Sequence, residues 1–146
     1  MTSQKDNEDI SNGQRAFWAF LGFTLVGPFF AALAILIILV LAPILKLDPL
    51  IPTTDLPLGA IAMRSFIWSA VPAALTALAM VPFLLREGRF APSYVAMAAV
   101  VAFTIAHILF PVDIPQNLLT ALAVLAGLVA IAVRYAMDLG GLLRED

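Results

Sequence analysis

Four long apolar runs, separated by short polar stretches, dominate the chain. Residues 16–45, 65–85 and 114–133 contain no Asp, Glu, Lys, Arg or His, and His107 is the only such residue in 90–112. The hydrocarbon core of a bilayer is about 30 Å thick, and a helix needs roughly 20 apolar residues to cross it. The pattern therefore predicts an all-α membrane protein with four transmembrane helices.

The predicted helices form one bundle over residues 16–135, with spans at about 16–45, 63–85, 92–110 and 116–133. Residues 1–15 form a polar tail that we expect to be disordered, and residues 136–146 form a second short tail. Thirty helical residues reach about 45 Å, so the first span should tilt, kink at Gly27-Pro28 or protrude from the bilayer. Its apolar run is about twice as long as that of a signal peptide, so we expect it to be retained.

Basic residues are distributed unequally among the connecting segments. The N-terminal tail, the 86–91 loop and the residues after the fourth span, from 134 onwards, contain six of the eight Lys and Arg residues. The 46–62 loop and the 111–115 turn contain only Lys46, and Arg64 lies just inside the second span. Cytoplasmic segments are enriched in Lys and Arg, which predicts that both termini and both tails are cytoplasmic. The short connections predict two antiparallel hairpins.

The composition narrows the possible chemistry. The chain is 62% hydrophobic and 12% charged, whereas a typical soluble domain is about 25% charged. It has no cysteine, which excludes thiol redox chemistry, disulfides and cysteine metal sites. There is no basic patch, so we expect no nucleic-acid partner. With no carboxylate inside a span and no nucleophile or metal motif, we expect no catalytic residue, no cofactor and no metal site.

Small residues recur at intervals of about four in three of the spans. Transmembrane helices associate through small residues that allow their backbones to approach closely. We therefore predict that these positions pack the helices together; alternatively, one stripe faces another protein or another copy. Bulkier residues, including Met80, are expected on the opposite face of the second span. The predicted packing residues are Ser65, Ser69, Ala73, Ala77, Ala98, Ala102, Ala106, Ala123 and Gly127.

A few polar residues gather near the outer ends of the spans and form a possible site. They are Arg64, His107, Asp113 and Asp55. Charged groups at membrane depth are costly and are usually paired or functional, so Arg64 could form an ion pair with Asp113 or Asp55. Each residue also has a simpler interpretation. Arg64 can sit at the interface, His107 can make a single hydrogen bond, and Asp113 can cap the fourth helix together with Gln116.

The sequence predicts a function only at the level of class. The lack of catalytic groups favours a structural or accessory subunit, or an assembly factor, of a complex in a bacterial inner membrane. Its partners would be the lipid bilayer and either another membrane protein or further copies of itself. The alternative is a small transporter or channel component, possibly a homo-oligomer. It rests on the outer polar residues and on Pro28 and Pro72, since broken helices can form substrate sites in transporters.

Overall fold

The computed structural model describes residues 10–44, 57–111 and 116–143, and all regular structure in these ranges is helical. Four helices follow one another: α1 (Asn12–Leu41), α2 (Leu58–Glu87), α3 (Pro92–Leu109) and α4 (Gln116–Leu139). All four are long and apolar enough to span a membrane. This confirms the prediction of an all-helical chain with four membrane-length helices.

Two helices are longer than their apolar runs. Helix α2 begins at Leu58, after the extended Pro57, so Arg64 lies in its second turn and not at its first residue. Helix α4 continues to Leu139, well beyond residue 133. Hydropathy marks the part of a helix that fits hydrocarbon, whereas the backbone can remain helical through polar residues. Helix α2 ends where Gly88 adopts a left-handed conformation with φ 69°, as is common at helix C-termini.

Helix α1 is interrupted by one wide turn. Residues Asn12–Leu21 and Gly27–Leu41 are α-helical, and Gly22–Val26 between them is π-helical. Pro28 lies two residues beyond Val26, and its ring would clash with the carbonyl of Thr24 in an uninterrupted α-helix. A wider turn at this point relieves that clash. The sequence suggested an irregularity at Gly27-Pro28, and the structure places it in the five residues before that pair.

The helices pack in a ring. Helix α1 contacts α2, α2 contacts α3, α3 contacts α4, and α4 returns to α1. The best-packed region lies at one end, where α1 and α3 begin and α2 and α4 end, and we call this end the base. Phe23, Leu84, Val95 and Val133, one from each helix, are almost fully buried there. The opposite end, where α1 and α3 end and α2 and α4 begin, is called the rim.

The buried face of α2 does not follow one stripe of small residues. Met80, expected on the opposite face, is only 2% exposed and packs in the core with Ala77 and Leu84. Residues four apart in an α-helix are rotated by about 40° from each other. A strict four-residue repeat therefore spirals around the helix, and the repeat from Ser65 to Ala77 has turned by about 120°. By the base, Met80 faces inward.

Candidate functional site

A cavity of about 480 Å³ lies between the helices, on the rim side of the packed core. All four helices contribute to its walls. The volume falls within the range of about 300–1,000 Å³ that is typical of ligand pockets. Among its lining residues are Phe23, Gly27, Ala31 and Ile35 from α1; Arg64, Ser65, Trp68, Ser69, Pro72, Ala73 and Thr76 from α2; Ala99 and Phe103 from α3; and Leu122, Ala126, Val129, Ala130 and Val133 from α4.

Small side chains on α2 leave room for this cavity. Ser65, Ser69 and Ala73, three of the predicted packing residues, line it, whereas Ala77 is buried in the core of the base. On α3 and α4, Ala102, Ala106 and Gly127 are buried. Ala98 and Ala123 are half-buried. Along α2, the small residues therefore line the cavity in the half nearer the rim, whereas in the half nearer the base they pack against other side chains.

The cavity wall presents few free polar groups. The Ser69 hydroxyl donates to the carbonyl of Phe66 at 3.1 Å, and the Thr76 hydroxyl donates to the carbonyl of Pro72 at 2.7 Å. Both protons are therefore used within α2, as is common for Ser and Thr in helices. Apolar cavities of this kind are poor sites for water and good sites for apolar groups.

Among the described residues that line the cavity, Arg64 alone is charged, and it lies on the rim side. Arg64 is exposed, as is Ile67, one of its neighbours in the lining, with 64% of its surface accessible. The described residues offer Arg64 no hydrogen bond or ion pair. One turn deeper, Trp68 packs edge-on against Phe103 with ring centroids 4.9 Å apart. The cavity thus combines an apolar interior with a cationic entrance.

Two of the four predicted outer-site residues lie within the described part of the chain. Arg64 lines the cavity, whereas His107 lies in the last turn of α3 and does not line it. The Nδ1 atom of His107 is buried and has no hydrogen-bond partner among the described residues. Asp55 and Asp113 lie outside the described residues. The meeting of all four therefore stays a prediction.

The base contains polar contacts that hydropathy did not predict. Arg15 is only 9% exposed. Its Nε donates to the carbonyl of Ile10 and its Nη1 to the carbonyl of Leu142, both at 3.0 Å. Asn12 donates to the carbonyl of Leu85 at 3.3 Å. These bonds connect the start of α1 to the end of α2 and to the segment after α4.

A second arginine joins the end of α4 to the turn between α2 and α3. The Nε of Arg134 donates to the carbonyl of Phe90 at 3.0 Å, and its Nη1 lies 3.9 Å from the carboxylate of Asp138. The guanidinium also lies 5.4 Å from the ring centre of Tyr135, a cation–π distance. We call Arg15 and Arg134 the arginine clamp. Sequence reasoning counted both only as cytoplasmic charges.

Little else in the described residues suggests chemistry. Among them, no three His, Cys, Asp or Glu side chains come together in a group that could hold a metal ion. Comparison of the chain with known protein families, with curated proteins and with solved structures found no match. The fold and composition therefore define a class: an all-helical chain whose four apolar helices are compatible with a multi-pass membrane protein.

Proposed function

We propose that the protein is a small, non-catalytic accessory subunit or assembly factor of a complex in a bacterial inner membrane. The observation that carries this proposal is the closed base, where side chains from all four helices pack together below the cavity. A permeation pathway needs an opening at both ends, and this arrangement favours a protein that holds its shape and supports neighbours. The arginine clamp adds rigidity at the same end.

We further propose that the helices form two antiparallel hairpins with both termini in the cytoplasm. Two aromatic pairs between α2 and α3 support the hairpin: Phe83 stacks on Tyr94 near the connecting turn, and Trp68 meets Phe103 further from it. The excess of basic residues in the tails and the 86–91 loop supports the orientation. Fusion of green fluorescent protein to either terminus should give fluorescent cells, since this reporter folds in the cytoplasm; a dark C-terminal fusion would contradict the orientation.

Affinity purification in a mild detergent tests the accessory role. A tagged copy expressed at its native level should bring down one or more membrane proteins in a fixed ratio, identified by mass spectrometry. Tagging the partner should recover this chain in the same ratio. A solubilised preparation that contains only this chain, from native membranes and in several mild detergents, would contradict the proposal.

The cavity supports a second candidate, a transport component that acts alone or as a homo-oligomer. Arg64 lines the rim side of the cavity, and Pro72, which lies within the continuous helix α2, lines it about two turns deeper. Reconstituted into liposomes, a transport protein should produce solute flux that Arg64→Ala or His107→Ala reduces. Arg86→Ala, an exposed arginine at the other end of α2, is the matched control. Flux no greater than that of empty liposomes, over a broad panel of solutes, would exclude this candidate.

A further inference from the structure

The cavity has the length of one membrane leaflet. Along α2 its lining runs from Arg64 to Thr76, twelve residues that rise about 18 Å at 1.5 Å each. Half of a hydrocarbon core is about 15 Å. Arg64 and Arg86 bound 21 uncharged residues of α2, which rise about one hydrocarbon thickness. The packed base lies towards Arg86, so in a bilayer the cavity would extend from the hydrocarbon boundary near Arg64 towards the midplane. An acyl chain of a lipid occupies the same depth.

The walls also match an acyl chain in chemistry. Ala126 and Val129 on α4 and Phe103 on α3 face the space, and the hydroxyls of Ser69 and Thr76 donate to their own helix. No polar group of a ligand is needed to satisfy these hydroxyl protons. A chain of methylene groups can therefore pack against Ser69 and Thr76 without leaving either hydroxyl unpaired, which is the costly outcome for a buried polar group.

The positive charge of Arg64 at the entrance favours a lipid with a negatively charged headgroup. Arg64 is the lining residue of α2 nearest the rim, and because it bounds the uncharged stretch of α2 it would lie near the phospholipid headgroups in a bilayer. A guanidinium can donate two parallel hydrogen bonds to a phosphate. A basic residue near the membrane surface increases the affinity for anionic lipid by roughly fivefold. A long side chain such as that of arginine can extend towards the headgroups while its methylene groups remain in hydrocarbon.

We propose that the cavity binds one acyl chain of an anionic phospholipid, with the lipid phosphate against Arg64. The lipid would act as a resident part of the fold and fill a volume that the helices leave open. This inference rests on the membrane location of the proposed function, but it does not require that the protein be an accessory subunit.

Trp68 provides a direct test, because it lines the cavity and brominated acyl chains quench tryptophan fluorescence on contact. The chain has two tryptophans, and Trp18→Phe leaves Trp68 as the only reporter. This variant is reconstituted into phosphatidylcholine vesicles that contain a minor fraction of brominated phosphatidylglycerol. A parallel sample contains the same fraction of brominated phosphatidylcholine. We expect phosphatidylglycerol to quench at least about twofold more strongly, in line with the arginine's contribution.

The reciprocal variant, Trp68→Phe, measures quenching by bulk lipid through Trp18, which is exposed near the base. Its quenching should be the same for both brominated lipids. A preference for phosphatidylglycerol of equal size at Trp18 would mean that anionic lipid accumulates around the whole protein, and this result would overturn the proposal.

Two pairs of variants test the lipid headgroup and the acyl chain independently. Arg64→Gln should remove the preference for phosphatidylglycerol, whereas Arg86→Gln should keep it. Ala126→Leu fills the cavity and should reduce Trp68 quenching by both lipids, whereas Ala132→Leu, on an exposed face of the same helix, should not. Ser69→Leu is a second filling variant for the case in which Ala126→Leu does not fold. All variants must elute as single species and retain helical circular dichroism.

The possible failures are distinguishable. Equal quenching of Trp68 by the two lipids, or an unchanged preference in Arg64→Gln, would refute the part of the proposal that places an anionic headgroup against Arg64. Normal quenching in a folded, cavity-filled variant would show that no chain enters the cavity. If inorganic phosphate removes the preference, Arg64 binds anions in general and the lipid proposal is wrong. No quenching at either tryptophan would contradict the membrane location itself, whereas failure to find a protein partner would leave the lipid result unaffected.

Discussion

Replacing Arg15 by methionine should destabilise the bundle by about 3 kcal/mol. The substitution keeps an unbranched apolar side chain, which can replace much of the packing of the arginine methylenes. It removes both donors, those to the carbonyls of Ile10 and Leu142. The second of these bonds joins residues 127 positions apart in sequence, so its loss affects tertiary structure and not only the first turn of α1.

The magnitude follows from the two bonds. A hydrogen bond to a charged group contributes about 1.5–3 kcal/mol to stability. Both acceptor carbonyls belong to half-buried residues, so water can replace part of each interaction and the lower figure applies. Two bonds at about 1.5 kcal/mol each give the estimate. Arg15→Lys keeps the charge but not the planar fork, so it should fall between the wild-type protein and Arg15→Met.

Reversible unfolding in mixed micelles of a mild detergent and dodecyl sulfate measures the free energy directly. Arg86→Met, at an exposed position, is the control for loss of a positive charge at the same end, and it should change the free energy of unfolding by less than about 0.5 kcal/mol. If Arg15→Met and Arg86→Met lower the free energy of unfolding by the same amount, the two hydrogen bonds of the buried Arg15 do not stabilise the fold. This result would refute the proposed role of Arg15 in the arginine clamp.

Three further substitutions can be tested by the same unfolding assay. Arg134→Met removes one hydrogen bond to a carbonyl, together with the contacts to the exposed Asp138 and Tyr135, and should cost about 1.5 kcal/mol, mainly from the hydrogen bond. A loss of stability no larger than that of Arg86→Met would contradict this. Leu84→Ala, at a fully buried position, should lower the free energy of unfolding by about 2–5 kcal/mol. Leu85→Ala, at the exposed neighbouring position, should lower it far less. Equal decreases for the two variants would contradict the burial of Leu84 in the core. Gly127→Leu should lower the free energy of unfolding by about 1–3 kcal/mol, because a large side chain at this position meets the carbonyl of Ala96. Gly127→Ala should be tolerated, because its Cβ would lie 3.6 Å from that carbonyl oxygen, an ordinary van der Waals contact.

The helices could be predicted because hydrocarbon imposes one strong requirement, a long apolar run, and the sequence meets it four times. Their ends could not be predicted as well. Apolar content says nothing about whether a polar residue such as Arg134 continues a helix. The start of α1 can be predicted from the sequence, because Ser11 and Gln14 have the spacing of a capping box, and in the structure they form both of its reciprocal hydrogen bonds. Hydropathy alone does not detect this signal, because every residue of the capping box is polar.

The cavity could not be predicted from the sequence. A small residue permits close approach of two backbones but does not require it, and Ser69 and Ala77 look equivalent in the sequence although one lines a space and the other is buried. The difference depends on how closely neighbouring helices pack at each level of the bundle, and no sequence pattern records this. The clamp was missed for a related reason: the acceptors of Arg15 are backbone carbonyls, which every residue carries and no sequence pattern marks.

The π-helical turn in α1 has a consequence for how the chain can vary. Such a turn accommodates one residue more than an α-helical turn, and one residue corresponds to about 100° of rotation about the helix axis. The extra residue offsets the second half of α1 by this rotation, so that Gly27 and Ala31 in the cavity wall lie on the same side of the helix as Ala19 in the core. A chain shorter by one residue between Gly22 and Val26 would turn that wall away from the cavity and bring the neighbouring, larger side chains into its place. At this point the length of the chain matters more than the identity of any single side chain.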